Sequence, residues 1–309
     1  MEIKGILVTL LAPMTDHIAN GGEKILGNAS SIKQRPDGRV YISGQKQRHA
    51  LFSAMERLNF SDGKRGETYV SNGDGTTTII EKDLRADLGG FLQTKKESYS
   101  GRRTAPLTAT PAVALEPSEV GRDLLIRLKV NENKDTRDQA LATREYSQDD
   151  MMLMSFFIDI GAVSIRKDFT YEGEMHLQTN YKKHVDENER KRRVKLALEA
   201  TNSLTDYANN ARNATSGEPQ KVLIVFDSKL SRKAARYFTA EEPEQKNILR
   251  ELEKRNAIYF FGDDTASEGD SVFDAYEKAA EFLDENTLFD PSGDAQPITT
   301  DEYEQQSKA

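Results

Sequence analysis

The sequence contains no cysteine. That excludes disulfides, thiolate metal sites and a cysteine nucleophile together. Histidine is scarce as well. His17, His49, His176 and His184 form neither an HExxH pair nor any other metal-ligand spacing, and are expected to be ordinary surface or contact residues. No GxxxxGK[ST] loop and no GxSxG elbow occurs, and Gly73-Asp74-Gly75 lacks the rest of a dinucleotide motif. Asp263, Asp264, Asp270 and Asp274 lack the alternate spacing and central glycine of a calcium loop, and are read as a solvated acidic face. No metal or cofactor is expected. The aromatic strand motif by which RNA-recognition domains stack bases is missing too, so any RNA would be gripped by its backbone. The most apolar stretch, 151–163, is interrupted by Ser155 and Asp159 and reads as a buried strand rather than a membrane span. Met1-Glu2 leads straight into an apolar strand, without the pattern of a secretory signal. A soluble cytoplasmic protein is the expectation.

What is present is a chain of 309 residues, 37% hydrophobic and 30% charged, enough for one large domain or two ordinary ones. Its net charge of −8 is unevenly spread: residues 239–309 carry −13 and the remainder +5. A polyanion needs a local basic surface, and the body of the chain can supply one.

The stretch that carries most information is 40–58, VYISGQKQRHALFSAMERL. A short strand runs into a helix whose Leu51, Ala54, Met55 and Leu58 recur at i, i+3, i+4 and i+7. Ser43 is a good N-cap, Gly44 permits close approach, and Gln45, Lys46, Arg48 and His49 add donors and cations to a positive helix N-terminus. That composition suits an anion, phosphate above all. It suits equally a solvated, well-capped helix start.

Around it, 2–11 reads as a branched strand ended by Pro13, and 14–37 as a long polar connection. Residues 59–104 are rich in glycine and basic pairs and read as a finger-like insertion, with regularity only at 76–80 and 83–92. Strands are expected at 123–130, 151–165, 221–226 and 257–261, and helices at 188–213, 243–255 and 271–283. In the 188–213 helix, Arg190 to Arg193 lie outside the apolar stripe. The expected architecture is α+β: a ferredoxin-like or RRM-like βαββαβ palm (1–58 and 105–261, with a polar projection at 131–150), the 59–104 insertion and an acidic C-terminal segment, 262–309.

The run GNASSIKQRPDGRVYISGQKQRHAL resembles the DevR-type backbone subunit of the CRISPR Cascade complex, within the RAMP superfamily. The matching elements are Asn20-Gly21, Glu23 with Gly27-Asn28, and Ser43-Gly44-Gln45 with Arg48. The resemblance implies a non-catalytic, crRNA-binding protein whose copies form a helical filament along a guide RNA. With other Cascade subunits, it would present the guide for pairing with target DNA. It would place Asn28, Lys33, Ser43, Gly44, Gln45, Lys46, Arg48 and His49 near guide phosphates and riboses. Arg102, Arg103, Lys182 and Lys183 would be further contacts. The acidic C-terminal segment would serve as a contact for the next subunit or, preferably, as a solubilising tail. The enzyme alternative is a RAMP subunit that cuts target RNA with Asp16, in the loop after the first strand. Loop aspartates are common turn formers, which weighs against it.

Overall fold

The computed structural model describes residues 1–24, 29–72, 75, 77–93, 101–130 and 137–306, with backbone alone at 93, 101, 102, 127–130, 137–140 and 306. Its main strands are β1 (Gly5–His17), β2 (Leu107–Ala109), β3 (Ala112–Ala114), β4 (Val120–Val130), β5 (Arg137–Asp159), β6 (Ile165–Glu172), β7 (Met175–Lys183), β8 (Lys221–Asp227) and β9 (Ile258–Asp263). Its helices are α1 (Gly44–Ser61), α2 (Leu84–Gly89), α3 (Glu187–Ala200), α4 (Glu242–Lys254), α5 (Val272–Glu285) and α6 (Thr300–Gln306).

The central strand β1 is an unbroken buried run from Gly5 to Ala12, as a strand covered on both faces should be. Ile6, Val8, Leu10, Ala12 and Met14 join one core with α1, α3 and α5. Leu7 joins a second core, on the other face, under the 3-10 turn Lys233–Thr239 and α4. On either side of β1, β8 and the second half of β5 pair antiparallel to it. Outside β5 lie β2 and β3, and outside β8 lies β9, all antiparallel. The order across the sheet is therefore β9, β8, β1, β5, then β2 with β3.

Several expectations change. The strand at 123–130 belongs to the same sheet as β1 but does not flank the half of β5 that pairs with β1. It pairs with the first half of β5, register Val120↔Ser147 to Val130↔Arg137, so the expected polar projection at 131–150 is part of a long β-hairpin that continues into the sheet. The edge place beside β5 falls to residues 107–114. The helix expected over 188–213 stops at Ala200, where Thr201 folds its hydroxyl back onto the Leu198 carbonyl, and the chain turns at Asn209 with φ +62°. A second hairpin, β6 with β7, leaves Phe169, Tyr171, Met175 and Leu177 exposed.

The 262–309 segment is no detached acidic tail. Through Val272, Ala275, Tyr276, Ala279 and Leu283, α5 packs into the main core, and Thr287–Leu288 pairs with Glu2–Ile3. The chain then crosses β7, where Ile298 N–H donates to Lys183 C=O at 2.8 Å; Thr299 Oγ1 caps α6 by accepting from Glu302 N–H, and the Thr300 hydroxyl donates to Glu81 at 2.6 Å. Acidic residues occupy its outer side and apolar ones its inner side, which composition alone averages away.

The 59–104 insertion is also less detached than expected. Leu84 and Leu88 of α2 belong to the main core. Asp87, fully buried, accepts from Arg103, Arg193 and Ser164. Arg190 and Arg193, expected outside the apolar stripe, are among the largest fully buried side chains of the protein.

Candidate nucleic-acid interface

The α1 junction forms as its sequence dictates. Ser43 has extended ψ 149°, and its Oγ accepts from Lys46 N–H at 3.2 Å. Ser43 C=O accepts the first intrahelical bond, from Gln47 N–H at 3.0 Å. The N–H groups of Gly44 and Gln45 precede that bond, so the helix leaves two donors to face an anion or water. A Cβ at Gly44 would stand 3.1 Å from Ala109 C=O and 3.6 Å from Pro111 N, so any other residue would have to push the 109–111 connection back by a few tenths of an ångström. Tyr41–Ile42, just before it, pairs with β3 and fixes its position on the sheet edge.

Asn20 ties the preceding connection to this junction. Its Nδ2 donates to the carbonyls of Lys33 at 2.9 Å and Tyr41 at 3.1 Å, while its Oδ1 accepts from Gly22 N–H. Lys33 is thereby held close to the strand that leads into α1, half-buried. Asn28 lies outside the described residues.

The candidate side chains divide. Ser43 and Gln45 are exposed, and Lys46 and His49 are half-exposed. Asp206 sits among them, 2.9 Å from His49 Nε2 and 3.9 Å from Lys46 Nζ, and offsets part of the local positive charge. Arg48 is engaged elsewhere: its guanidinium donates to Gly89 C=O and lies over the Phe52 ring. Burial, with a smaller contribution from the neighbouring Arg85, lowers its pKa from the usual value. Arg48 therefore tethers α2 to α1.

The further candidates separate in the same way. Arg103 is 7% exposed and donates to Asp87, to Ala162 C=O at 2.7 Å and to Ile165 C=O at 2.8 Å. It is a structural cation rather than an RNA contact, because a buried guanidinium with these partners has no face left for a phosphate. Arg102 stands in the strand Gly101–Arg103 opposite Leu92, and its side chain is outside the described part. Lys183 is paired internally with Asp290 at 2.8 Å, whereas Lys182 is half-exposed.

Asp16 falls within β1 rather than after it, exposed, with φ +45°, its carbonyl accepting from Asn213 at 2.7 Å. Among the described residues no group of three or more His, Asp or Glu is arranged to hold a metal ion. No helix among them is long and apolar enough to cross a membrane. Outside the junction, Lys229, Arg232, Lys233 and Arg236 carry no motif, and only their i, i+3, i+4, i+7 spacing marks them in the sequence.

A sequence model of the family described as "CRISPR-associated negative auto-regulator DevR/Csa2" matches residues 37–225, a span that includes the Ser43-Gly44-Gln45 junction. Among solved structures, the chain is similar to one in a "CRISPR RNA-guided surveillance complex", with TM-score 0.53 and 14% identity over 98% of this chain and 99% of that one. It is similar also to a chain in a "CRISPR RNA-guided surveillance complex, pre-nicking", with TM-score 0.55 and 12% identity over 91% and 100%. At such identities the likeness is one of fold. No curated protein matches the sequence.

Proposed function

The chain belongs to the CRISPR-associated DevR/Csa2 family, and on that premise we propose that it is a non-catalytic, guide-RNA-binding backbone subunit of a CRISPR surveillance complex. The observation that carries this reading is the capped N-terminus of α1, with two first-turn N–H donors and exposed Ser43 and Gln45 beside Lys46 and His49. A helix N-terminus of this kind takes phosphate without reading bases, which a guide that must still pair requires. The strand order supports a ferredoxin-like palm: β1, α1, the 107–114 edge, β5, α3 and β8 follow one another in the chain, with β8, β1, β5 and the edge adjacent in the sheet. The fold likeness to chains of two RNA-guided surveillance complexes supports the same assembly. Copies of the chain would stack along the guide and, with the other subunits, hold it for pairing with target DNA.

The test is co-expression with a CRISPR repeat–spacer transcript and the partner subunits, followed by sizing and ultraviolet absorbance. The expected product is an RNA-containing particle whose length grows with the spacer. RNA-free protein in the presence of those partners would overturn the reading.

A further inference from the structure

On the sheet face opposite α1, the 3-10 turn Lys233–Thr239 and the chain before it lie over β1 and β8, with Ala234 and Phe238 packed inward. Arg232, Lys233 and Arg236, all exposed, stand on the other side of this segment. Together with Arg35, Thr110 and Pro111 they line an open cleft of about 430 Å³ whose floor includes Val113 and Leu153. Thr110 and Pro111 are the wall this cleft shares with the α1 junction, since Gly44 lies against the same turn on its other side.

The cations in the cleft are not equally committed. Arg236 pairs with Glu244 at 2.9 Å, and Lys233 pairs with Glu251. Arg232 has no carboxylate within ion-pairing distance among the described residues; its guanidinium lies 4.3 Å from the centre of the Phe157 ring, and Asp159 feels its charge from further off. Arg35, beside the turn that Arg39 closes with Asp37, is likewise outside any ion pair among the described residues. A guanidinium stacked on an aromatic ring is held in place while its N–H edge remains available, a geometry that suits an anionic oxygen. Arg232 held in this way, with Arg35 on the same cleft above an apolar floor, matches a phosphodiester with its sugar.

We infer that this cleft binds phosphates of the same guide strand that the α1 junction holds, making a second subsite on the far side of the 109–111 turn. The inference rests on the reading of α1 given above. Lys229, exposed one step before Arg232 on the same spacing, continues the basic stripe beyond the cleft.

The experiment measures binding of a labelled single-stranded RNA of mixed sequence to the full chain, with its partner subunits, across a salt series. R35Q/R232Q is expected to bind about tenfold more weakly, with a log K against log salt slope shallower by roughly 1.4, two phosphate contacts being lost. R35K/R232K keeps both charges and is expected to retain the wild-type slope. A Q45A/K46Q variant reports the α1 junction independently. If the wild type fails to bind RNA, the reading of α1 falls and this subsite with it. If the wild type binds and Q45A/K46Q weakens it while R35Q/R232Q does not, the second subsite alone is overturned. Equal losses in R35Q/R232Q and R35K/R232K would also overturn it, because the effect would follow structure rather than charge.

Discussion

The Nε2 atom of His17, at the end of β1, lies 2.7 Å from Oδ2 of Asp150 on β5, and both side chains are buried. Ala19 N–H donates to His17 Nδ1, which leaves Nε2 to carry the proton that Asp150 accepts. Ser118, just ahead of β4, donates to the other carboxylate oxygen. One carboxylate thus ties both strands of the long hairpin to the central strand at the point where the hairpin leaves the sheet. Burial works to raise the Asp150 pKa, but hydrogen bonding, from His17 and Ser118 above all, outweighs it and holds the carboxyl below its ordinary value.

Asp150→Ala is expected to cost about 3 kcal/mol, since it strands a buried donor on His17 and another on Ser118. Thermal melts check the magnitude. The pH window follows from the sign of the shift. A carboxyl whose folded pKa is depressed contributes its stability in full above its unfolded value, near 4, and loses it as pH falls through the folded value. The variant should therefore lose less stability than the wild type as pH falls below about 4. Parallel melting curves in that range would remove Asp150 as the cause.

A second buried carboxylate, Asp87, joins α2 to the rest of the protein through Arg103, Arg193, Ser164 Oγ and Ser164 N–H. Desolvation opposes its charge, and the two arginines override it, holding its pKa low. Asp87→Ala leaves two buried guanidiniums facing each other and is expected to cost on the order of 3–5 kcal/mol. Hydrogen exchange should show lost protection at 84–89 and 101–103 before the sheet itself opens. Unchanged protection there would mean that the arginines find other partners.

The contrast between these carboxylates and the α1 junction explains what could be read from residues alone. Capping is local: Ser43, Gly44 and the i, i+3, i+4, i+7 stripe after them specify a helix start whatever surrounds it, and the helix begins at Gly44. Burial of a charge is not local. Arg190 and Arg193 fall at helical spacing on the same face as Val194, Ala197 and Ala200, where a charge is not expected; they are buried there because carbonyls of Ile160, Val163, Phe289, Ile80 and Glu81 and the Asp87 carboxylate converge on them from distant parts of the chain. The edge place beside β5 was obscured for a related reason. Residues 123–130 have the stronger strand pattern, but 107–114 follow α1 with the shorter connection back to the sheet, and 120–130 find their partner within the hairpin.

His184 supplies a different pH signature. It is 4% exposed, its Nδ1 lies 2.9 Å from Ile298 C=O, and burial, with the charges of Arg103 and Arg166 adding to it, pulls its pKa down to about 4. A histidine whose folded pKa is lowered must stay neutral in the folded state. Its contribution is complete above the unfolded value of about 6.5 and is lost as pH falls from there toward 4. The loss is on the order of 3 kcal/mol. His184→Gln should flatten the melting temperature across that range, which lies above the one assigned to Asp150. A wild-type melting temperature constant from pH 6.5 to 4.5 would contradict the assignment.

At the α1 junction, Lys46→Gln is expected to weaken RNA binding two- to fivefold irrespective of sequence, and to make the salt slope shallower by roughly 0.7, one single-strand phosphate contact. Asp206→Asn should act in the opposite direction. It removes the carboxylate 2.9 Å from His49 and 3.9 Å from Lys46, and so frees both to face the strand. Filter binding of two unrelated RNA sequences measures both effects. A loss confined to one sequence would rule out recognition through the backbone.

The C-terminal segment offers the sharpest separation between composition and packing. A solubilising tail can be removed without cost to the fold, and the −13 charge of residues 239–309 makes that the natural reading of the sequence. The structure requires the reverse. Leu283 is fully buried against the main core, and Tyr276, also in that core, shares a 2.7 Å hydrogen bond with Thr201 at the end of α3. Leu283→Ala should cost about 2–5 kcal/mol, the ordinary range for a buried leucine whose cavity does not collapse. Ending the chain before Ser271 would strip the cover from one face of β8 and β9 and expose Phe226 and Phe260, which stack against Phe282. That truncation is expected to yield insoluble protein. A soluble, cooperatively melting chain lacking 271–309 would show that the acidic segment is dispensable after all.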